Sequence, residues 1–151
     1  MLAPLLIGAL IIFVNMLVQV LAAVALLRFF VKRGSRFSQT TTILDDVFIL
    51  CFALIVLFAA NMVQSVLWAL LFIFLGEFQD FATAFYHSTV NFASLGYGDI
   101  VMSEKWRLLG ALEAANGVLM FGLTAGTLFA VMQNMVRQLQ PADSSAQNSP
   151  R

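Results

Sequence analysis

Three long apolar stretches alternate with short polar segments along this chain of 151 residues. They run from Leu2 to Val31, from Ile43 to Leu75 and from Trp106 to Val136. A helix needs about 20 apolar residues to cross a hydrocarbon core that is about 30 Å thick. Each stretch is long enough, so the pattern predicts three transmembrane helices.

The composition agrees with a membrane protein. Hydrophobic residues make up 61% of the chain and charged residues only 11%, which is too little charge to cover the surface of a soluble domain. Eight acidic residues balance eight basic ones, so there is no basic excess typical of nucleic-acid binding. We therefore expect membrane lipid as the surrounding partner and no nucleic acid. Cys51 is the only cysteine, which excludes an intrachain disulfide.

The charges between the apolar stretches predict an orientation. Residues 28–42 carry four basic residues and no acid, whereas residues 76–105 carry four acids against Lys105 alone. By the positive-inside rule, the first of these loops is cytoplasmic. Basic residues follow the first apolar stretch rather than precede it, so we expect a retained helix and not a cleaved signal peptide. The predicted location is a cell membrane of the bacterial inner-membrane type, with the N-terminus outside and the C-terminus in the cytoplasm.

A shorter apolar segment at residues 81–92 cannot cross the membrane, and residues 94–99 follow it with the sequence SLGYGD. A short helix that is followed by extended backbone is typical of a re-entrant loop. Non-helical backbone at membrane depth is tolerated only where protein buries it or where it lines a watery path. Gly96 and Gly98 alternate with larger residues, which allows successive carbonyl groups to point to one side. The segment predicts a pore; an ordinary glycine-rich turn is the alternative.

The part of the chain from Phe81 to about Met132 resembles the pore of potassium channels, whose filters read Thr-Val-Gly-Tyr-Gly-Asp. The nearest resemblance is to prokaryotic two-helix and inward-rectifier-like channels, to which the first apolar stretch is an addition. The resemblance implies a homotetramer around one pore, with K⁺ as permeant ion. We expect no cofactor and, as a departure from some family members, no cytoplasmic regulatory domain. The resemblance places the selectivity filter at Ser94, Leu95, Gly96, Tyr97 and Gly98, with K⁺ bound at the first four of these residues.

Other residues acquire candidate roles from this resemblance. Asp99, Tyr86 and His87 are candidates for filter support, although a packed imidazole is the commoner role of such a histidine. Glu113 either lines the pore or pairs with a polar group behind the filter, and we prefer the second. Gating candidates on the last helix also include a hinge glycine and three apolar residues that could form a dewetting constriction: Gly117, Phe121, Ala125 and Phe129.

The predicted fold class is an all-α membrane protein with three transmembrane helices and a re-entrant pore helix and filter loop between the second and third. Its parts are an additional helix at 1–31, a cytoplasmic loop at 32–42, a pore module at 43–136 and a disordered cytoplasmic tail at 137–151. The module comprises an outer helix at 43–75, a pore helix at 81–92, the filter at 94–99 and an inner helix at 106–136.

Departures from the family pattern leave alternatives open. Ser94 and Leu95 replace threonine and valine, and Val90 stands where several family members have a glutamate. The leading hypothesis is a potassium-selective channel. The alternatives are a weakly selective cation channel and a non-conducting membrane subunit that binds partners, including an unidentified regulatory one. An enzyme is not expected, because the single histidine has no nucleophile or ligand set around it.

The predicted orientation can be tested with single cysteines. In a background in which Cys51 is replaced by serine, Ser35→Cys should react with a membrane-impermeant thiol reagent from the cytoplasmic side only. Gln79→Cys should react from the outside only, because the acidic loop is predicted to be external. Labelling of both positions from one side of sealed vesicles would contradict this topology.

Overall fold

A computed structural model describes residues 2–34 and 43–139 of the chain. The described residues form four α helices and no strand: α1 (Leu2–Gly34), α2 (Ile43–Phe74), α3 (Phe81–Phe92) and α4 (Arg107–Leu139). The predicted all-α fold class is confirmed. The predicted loop is described only as far as Gly34, where it is helical, and its residues 35–42 lie outside the described residues. The predicted tail likewise lies outside them from residue 140 onwards.

Three of the described helices are long and apolar enough to cross a membrane, over Leu2–Phe30, Leu44–Phe74 and Arg107–Arg137. The prediction of three membrane-spanning helices is confirmed. Helix α3 has 12 residues, which gives it a length of about 18 Å at 1.5 Å per residue, too short to cross. Helix α1 continues past Val31 as far as Gly34, and α4 continues past Val136 as far as Leu139, because lysine, arginine, glutamine and leucine favour a helix.

The short helix α3 has defined signals at both ends. Asp80 caps its start, with a side-chain oxygen that accepts a hydrogen bond from the Thr83 amide at 2.8 Å. This bond lowers the pKa of the exposed Asp80 carboxyl. At the other end, the Ser94 amide donates to the Asn91 carbonyl at 2.8 Å and the Leu95 amide donates to the Val90 carbonyl at 2.9 Å. These bonds close the helix, so the chain leaves it directly into the following loop.

Two clusters of buried apolar side chains hold the helices together. One joins α2, α3 and α4 through Trp68, Phe72, Phe92, Trp106, Leu109 and Met120. The other joins α1, α2 and α4 through Leu26, Ala53, Leu57 and Val131. In lipid such contacts stabilise mainly by van der Waals packing, so close fit matters more than apolar area. The first cluster fixes α3 between α2 and α4.

Gly117 on α4 allows the closest of these contacts. A Cβ atom at this position would collide with the carbonyl oxygen of Phe92 and would lie 2.7 Å from its carbonyl carbon. Because these are backbone atoms, they cannot move aside as a flexible side chain could. By contrast, a Cβ atom at Gly122 or Gly126 would meet no atom within 4 Å. Gly117 is therefore required for the end of α3 to pack directly against α4.

Gly117→Ala should destabilise the protein by about 1–3 kcal/mol, because overpacking outweighs the better helix propensity of alanine. Gly122→Ala is the matched control on the same helix and should leave stability unchanged or raise it slightly. The measurement is the thermal unfolding midpoint of both variants in detergent. Equal midpoints for the two variants would show that α4 does not approach α3 as described.

Candidate functional site

The loop after α3 has an alternating backbone conformation. Its φ angles are positive at Ser94 (57°), Gly96 (58°) and Gly98 (73°) and not at the residues between them. Residues 95–98 belong to no helix or strand. Glycine adopts positive φ without penalty, whereas Ser94 pays about 1–2 kcal/mol for it. Ser94 is the only non-glycine residue of the described chain with this feature, and nothing in the sequence signalled it.

A single chain leaves this loop uncovered. Leu95 is 54% exposed and Tyr97 is 65% exposed. Behind the loop, a cavity of about 450 Å³ opens towards the start of α4 and is lined by His87, Asn91, Gly96, Asp99 and Arg107, among others. The Ser94 hydroxyl lies 3.5 Å from the Ala114 carbonyl oxygen, at the limit of hydrogen bonding. Residues 94–99 are all exposed in a single chain.

Asp99, which directly follows the loop, is held by α3. The Tyr86 hydroxyl donates a hydrogen bond of 2.7 Å to a carboxylate oxygen of Asp99. This bond lowers the pKa of the Asp99 carboxyl and raises the pKa of Tyr86, because it favours the ionised acid and the protonated phenol. Both residues were candidates for filter support, but their pairing was not predicted. Val90 is buried and offers no carboxylate there.

His87 lies behind the same segment as a neutral, packed side chain. Its Nδ1 atom donates to the Ile100 carbonyl at 3.0 Å, which leaves Nε2 to accept from the Asn91 amide at 2.8 Å. Its ring also contacts those of Phe72 and Phe78, with centroids 5.6 and 5.0 Å away. Burial lowers the pKa of this imidazole. The arrangement fits a structural support for the loop, as the commoner role of a buried histidine suggests.

Glu113 is completely buried behind α3. The Ser88 hydroxyl is shared between the Ser65 carbonyl oxygen, at 2.7 Å, and a carboxyl oxygen of Glu113. Glu113 has no exposed surface, so in this chain it does not line an open face. Glu113 thus pairs with a polar group of α3, and its role behind a filter stays a prediction.

A second link fixes the segment between the loop and α4. Glu77, which follows α2, accepts two hydrogen bonds of 2.7 Å from the amide and the hydroxyl of Ser103. Sequence reasoning missed this contact because a surface glutamate between two helices has no distinguishing pattern. Together with the Tyr86–Asp99 pair, it holds the segment between α3 and α4 at two points.

The gating candidates on α4 divide into two groups. Gly117 and Phe121 lie at the end of α3, where the rings of Phe121 and Phe92 meet edge to face with centroids 5.6 Å apart. Ala125 and Phe129 lie on the exposed face of α4, one turn and two turns further on. A role for these residues in gating stays a prediction.

A family model described as an ion channel matches residues 43–134, which include α2, α3, the loop and most of α4. The chain belongs to this ion channel family. No curated protein and no solved structure matches the chain. Family membership supports passive ion conduction by a multi-pass membrane protein. It also favours a role as a channel over a role as an enzyme. Helix α1 lies outside the matched segment of this ion channel.

Tyr86→Phe should raise the pH at which acid begins to reduce the ion flux. Without the phenol, the pKa of Asp99 rises towards its ordinary value, so protonation of Asp99 and any loss of flux that follows should occur at higher pH on the side of the membrane that Asp99 faces. The measurement is flux through reconstituted protein as the pH on each side is lowered in turn. Asp99→Asn is the control and should abolish this pH-dependent step. An unchanged profile in Tyr86→Phe would contradict the contact.

Proposed function

We propose that four copies of this chain form a potassium-selective channel whose filter comprises residues 94–98. The observation that carries the proposal is the alternation of positive φ along the loop, within a segment that matches the ion channel family. Such alternation can turn successive carbonyl groups to one side, where they replace the water around a dehydrated cation. The sequence SLGYGD, which resembles potassium-channel filters, supports K⁺ as the ion.

The proposed assembly follows from the geometry of the loop. One loop cannot surround an ion, and the exposed faces of Leu95 and Tyr97 leave room for neighbouring chains. Identical chains that enclose one pore are most simply related by cyclic symmetry. The number four comes from the resemblance to potassium channels. We propose further that the N-terminus lies outside a bacterial-type inner membrane, as the basic residues of the loop at 28–42 favour.

The candidate ligand atoms of the loop favour a cation site built from neutral oxygens. Residues 94–98 carry no ionisable carboxylate, so a bound cation would meet neutral oxygen atoms from the backbone and from the Ser94 hydroxyl. Asp99 stands at the outer end, where its negative charge would attract cations without stripping their water. Neutral oxygens that replace hydration water suit a large monovalent ion better than a divalent one, which prefers carboxylates.

Gly96→Ala should abolish K⁺ flux or its preference over Na⁺ in loaded liposomes. Alanine would pay about 1–2 kcal/mol for positive φ in every chain of the assembly. Gly76→Ala is the matched control: Gly76 also has positive φ (76°) and open space around it, but lies between α2 and α3. It should keep flux and selectivity. Ser94→Ala should have a milder effect, because it removes one hydroxyl ligand and leaves the carbonyl groups.

The outcomes separate the candidate functions. Selective K⁺ flux that is lost in Gly96→Ala and kept in Gly76→Ala supports the proposal. Equal flux of K⁺ and Na⁺ through the wild-type protein would indicate a weakly selective cation channel. If intact assemblies pass neither ion, the protein is a non-conducting subunit. Native mass spectrometry of each variant controls for assembly, and a stable monomer or dimer of the wild-type protein would contradict the tetramer.

A further inference from the structure

A buried acid on α4 is connected to two other helices through one hydroxyl group. The Ser88 hydroxyl of α3 lies between the carboxyl group of Glu113 on α4 and the backbone carbonyl oxygen of Ser65 on α2, which is 2.7 Å away. None of these three residues has any exposed surface. Solvent and lipid therefore cannot reach the group, and every hydrogen atom in it has to come from the protein itself.

The number of hydrogen atoms decides which group donates in each contact. A serine hydroxyl donates one hydrogen bond, although it can also accept. The Ser65 carbonyl oxygen can only accept, so Ser88 has to be the donor in that contact. The hydrogen atom in the contact with Glu113 then has to come from the carboxyl group, because an ionised carboxylate can only accept. Both contacts can be hydrogen bonds only when Glu113 carries a proton.

The long helices offer Glu113 no cation that could stabilise a carboxylate. In the sequence, there is no acidic or basic side chain in residues 2–27 of α1 or in residues 47–74 of α2. Glu113 is itself the only charged or titratable residue in residues 108–136 of α4. Any opposite charge at this depth would therefore have to come from α3.

Helix α3 does not supply that charge. Its titratable residues are Tyr86 and His87, and the Tyr86 hydroxyl donates to Asp99. The Nε2 atom of His87 accepts from the amide of Asn91, which is the other polar group close to the carboxyl group of Glu113. A ring nitrogen that accepts carries no proton, so this histidine is neutral. Because a carboxylate enclosed without a cation or water is costly, an acid in such surroundings stays neutral.

We propose that Glu113 is a neutral carboxylic acid that donates a hydrogen bond to Ser88, while Ser88 donates to Ser65. The two bonds run in one direction and join α4, α3 and α2. The Oε2 atom of Glu113, which has no partner, is then the carbonyl oxygen of the acid, and it costs less unpaired than a carboxylate oxygen does. Glu113 is thereby a positioning residue for α3. That α3 in turn positions an ion filter rests on the proposed function, but the protonation of Glu113 does not.

The test is infrared spectroscopy of the full-length protein in nanodiscs at neutral pH. A protonated carboxyl group has a carbonyl stretching band that carboxylates lack, and glutamate with an isotope label at its side-chain carboxyl carbon distinguishes glutamate from aspartate. We expect a protonated-acid band that shifts with the label and disappears in Glu113→Gln. Glu104→Gln is the matched control, because Glu104 is exposed, and it should leave the band unchanged. A spectrum without a band that depends on Glu113 would overturn the proposal.

Ser88→Ala tests the direction of the hydrogen bond. Removal of the accepting hydroxyl should shift the band of Glu113 to the higher frequency of an acid that donates less strongly. A band that stays in place in this variant would show that the acid does not donate to Ser88.

The positioning role is tested by two further variants of Glu113. Glu113→Gln has the same length and a neutral amide that donates as the acid does, so it should keep the thermal unfolding midpoint of the parent in detergent. Glu113→Asp remains an acid but is one methylene shorter, so it should lower the midpoint by several degrees. A glutamine variant that is no more stable than the aspartate variant would contradict this role. None of these measurements uses ion flux, so their failure is distinguishable from failure of the channel proposal.

Discussion

The contact between Gly117 of α4 and the carbonyl group of Phe92 fixes the position of the end of α3 against α4. Because no Cβ separates the two backbones, α3 can rest directly on α4. The chain then leaves α3 at a fixed point, which also fixes where the following loop begins. Moving α4 away from this point would displace the loop as well, so packing of two helices controls the geometry of the proposed filter.

Polar side chains fix this molecule at two places. Asp99 and Glu77 hold the segment between α3 and α4 through Tyr86 and Ser103. Within the long apolar helices, Glu113 and several side-chain amides are buried between helices. In lipid an unpaired polar group cannot turn to solvent, so each of these contacts also fixes the rotation of its helix. The hydrogen bonds of Gln19 with Thr124 and Gln64 thereby give α1 a definite register against the channel segment.

Much of this fold could be predicted from the sequence because membrane helices carry strong and simple signals. Helix α3 (Phe81–Phe92) covers the short apolar segment of the sequence; Asp80 caps its start, and Ala93 and Ser94 follow its end. The pairing of Tyr86 with Asp99 could not be predicted, because it depends on how the loop folds back over α3. The positive φ of Ser94 could not be predicted either, because a serine at that position indicated only a hydroxyl ligand and not a backbone conformation. The hydrogen bonds that join polar side chains of α1, α2 and α4 could not be predicted, because they depend on the angles between these helices.

The central claim is that carbonyl groups of residues 94–97 bind a dehydrated monovalent cation between several chains. Crystals of the assembled protein grown with Tl⁺, a heavy substitute for K⁺, would locate that ion by anomalous scattering. The account predicts Tl⁺ peaks on a fourfold axis, each surrounded by backbone oxygens of residues 94–97 from four chains. Peaks only beside the Asp99 carboxylates, or an assembly without such an axis through the loops, would contradict it.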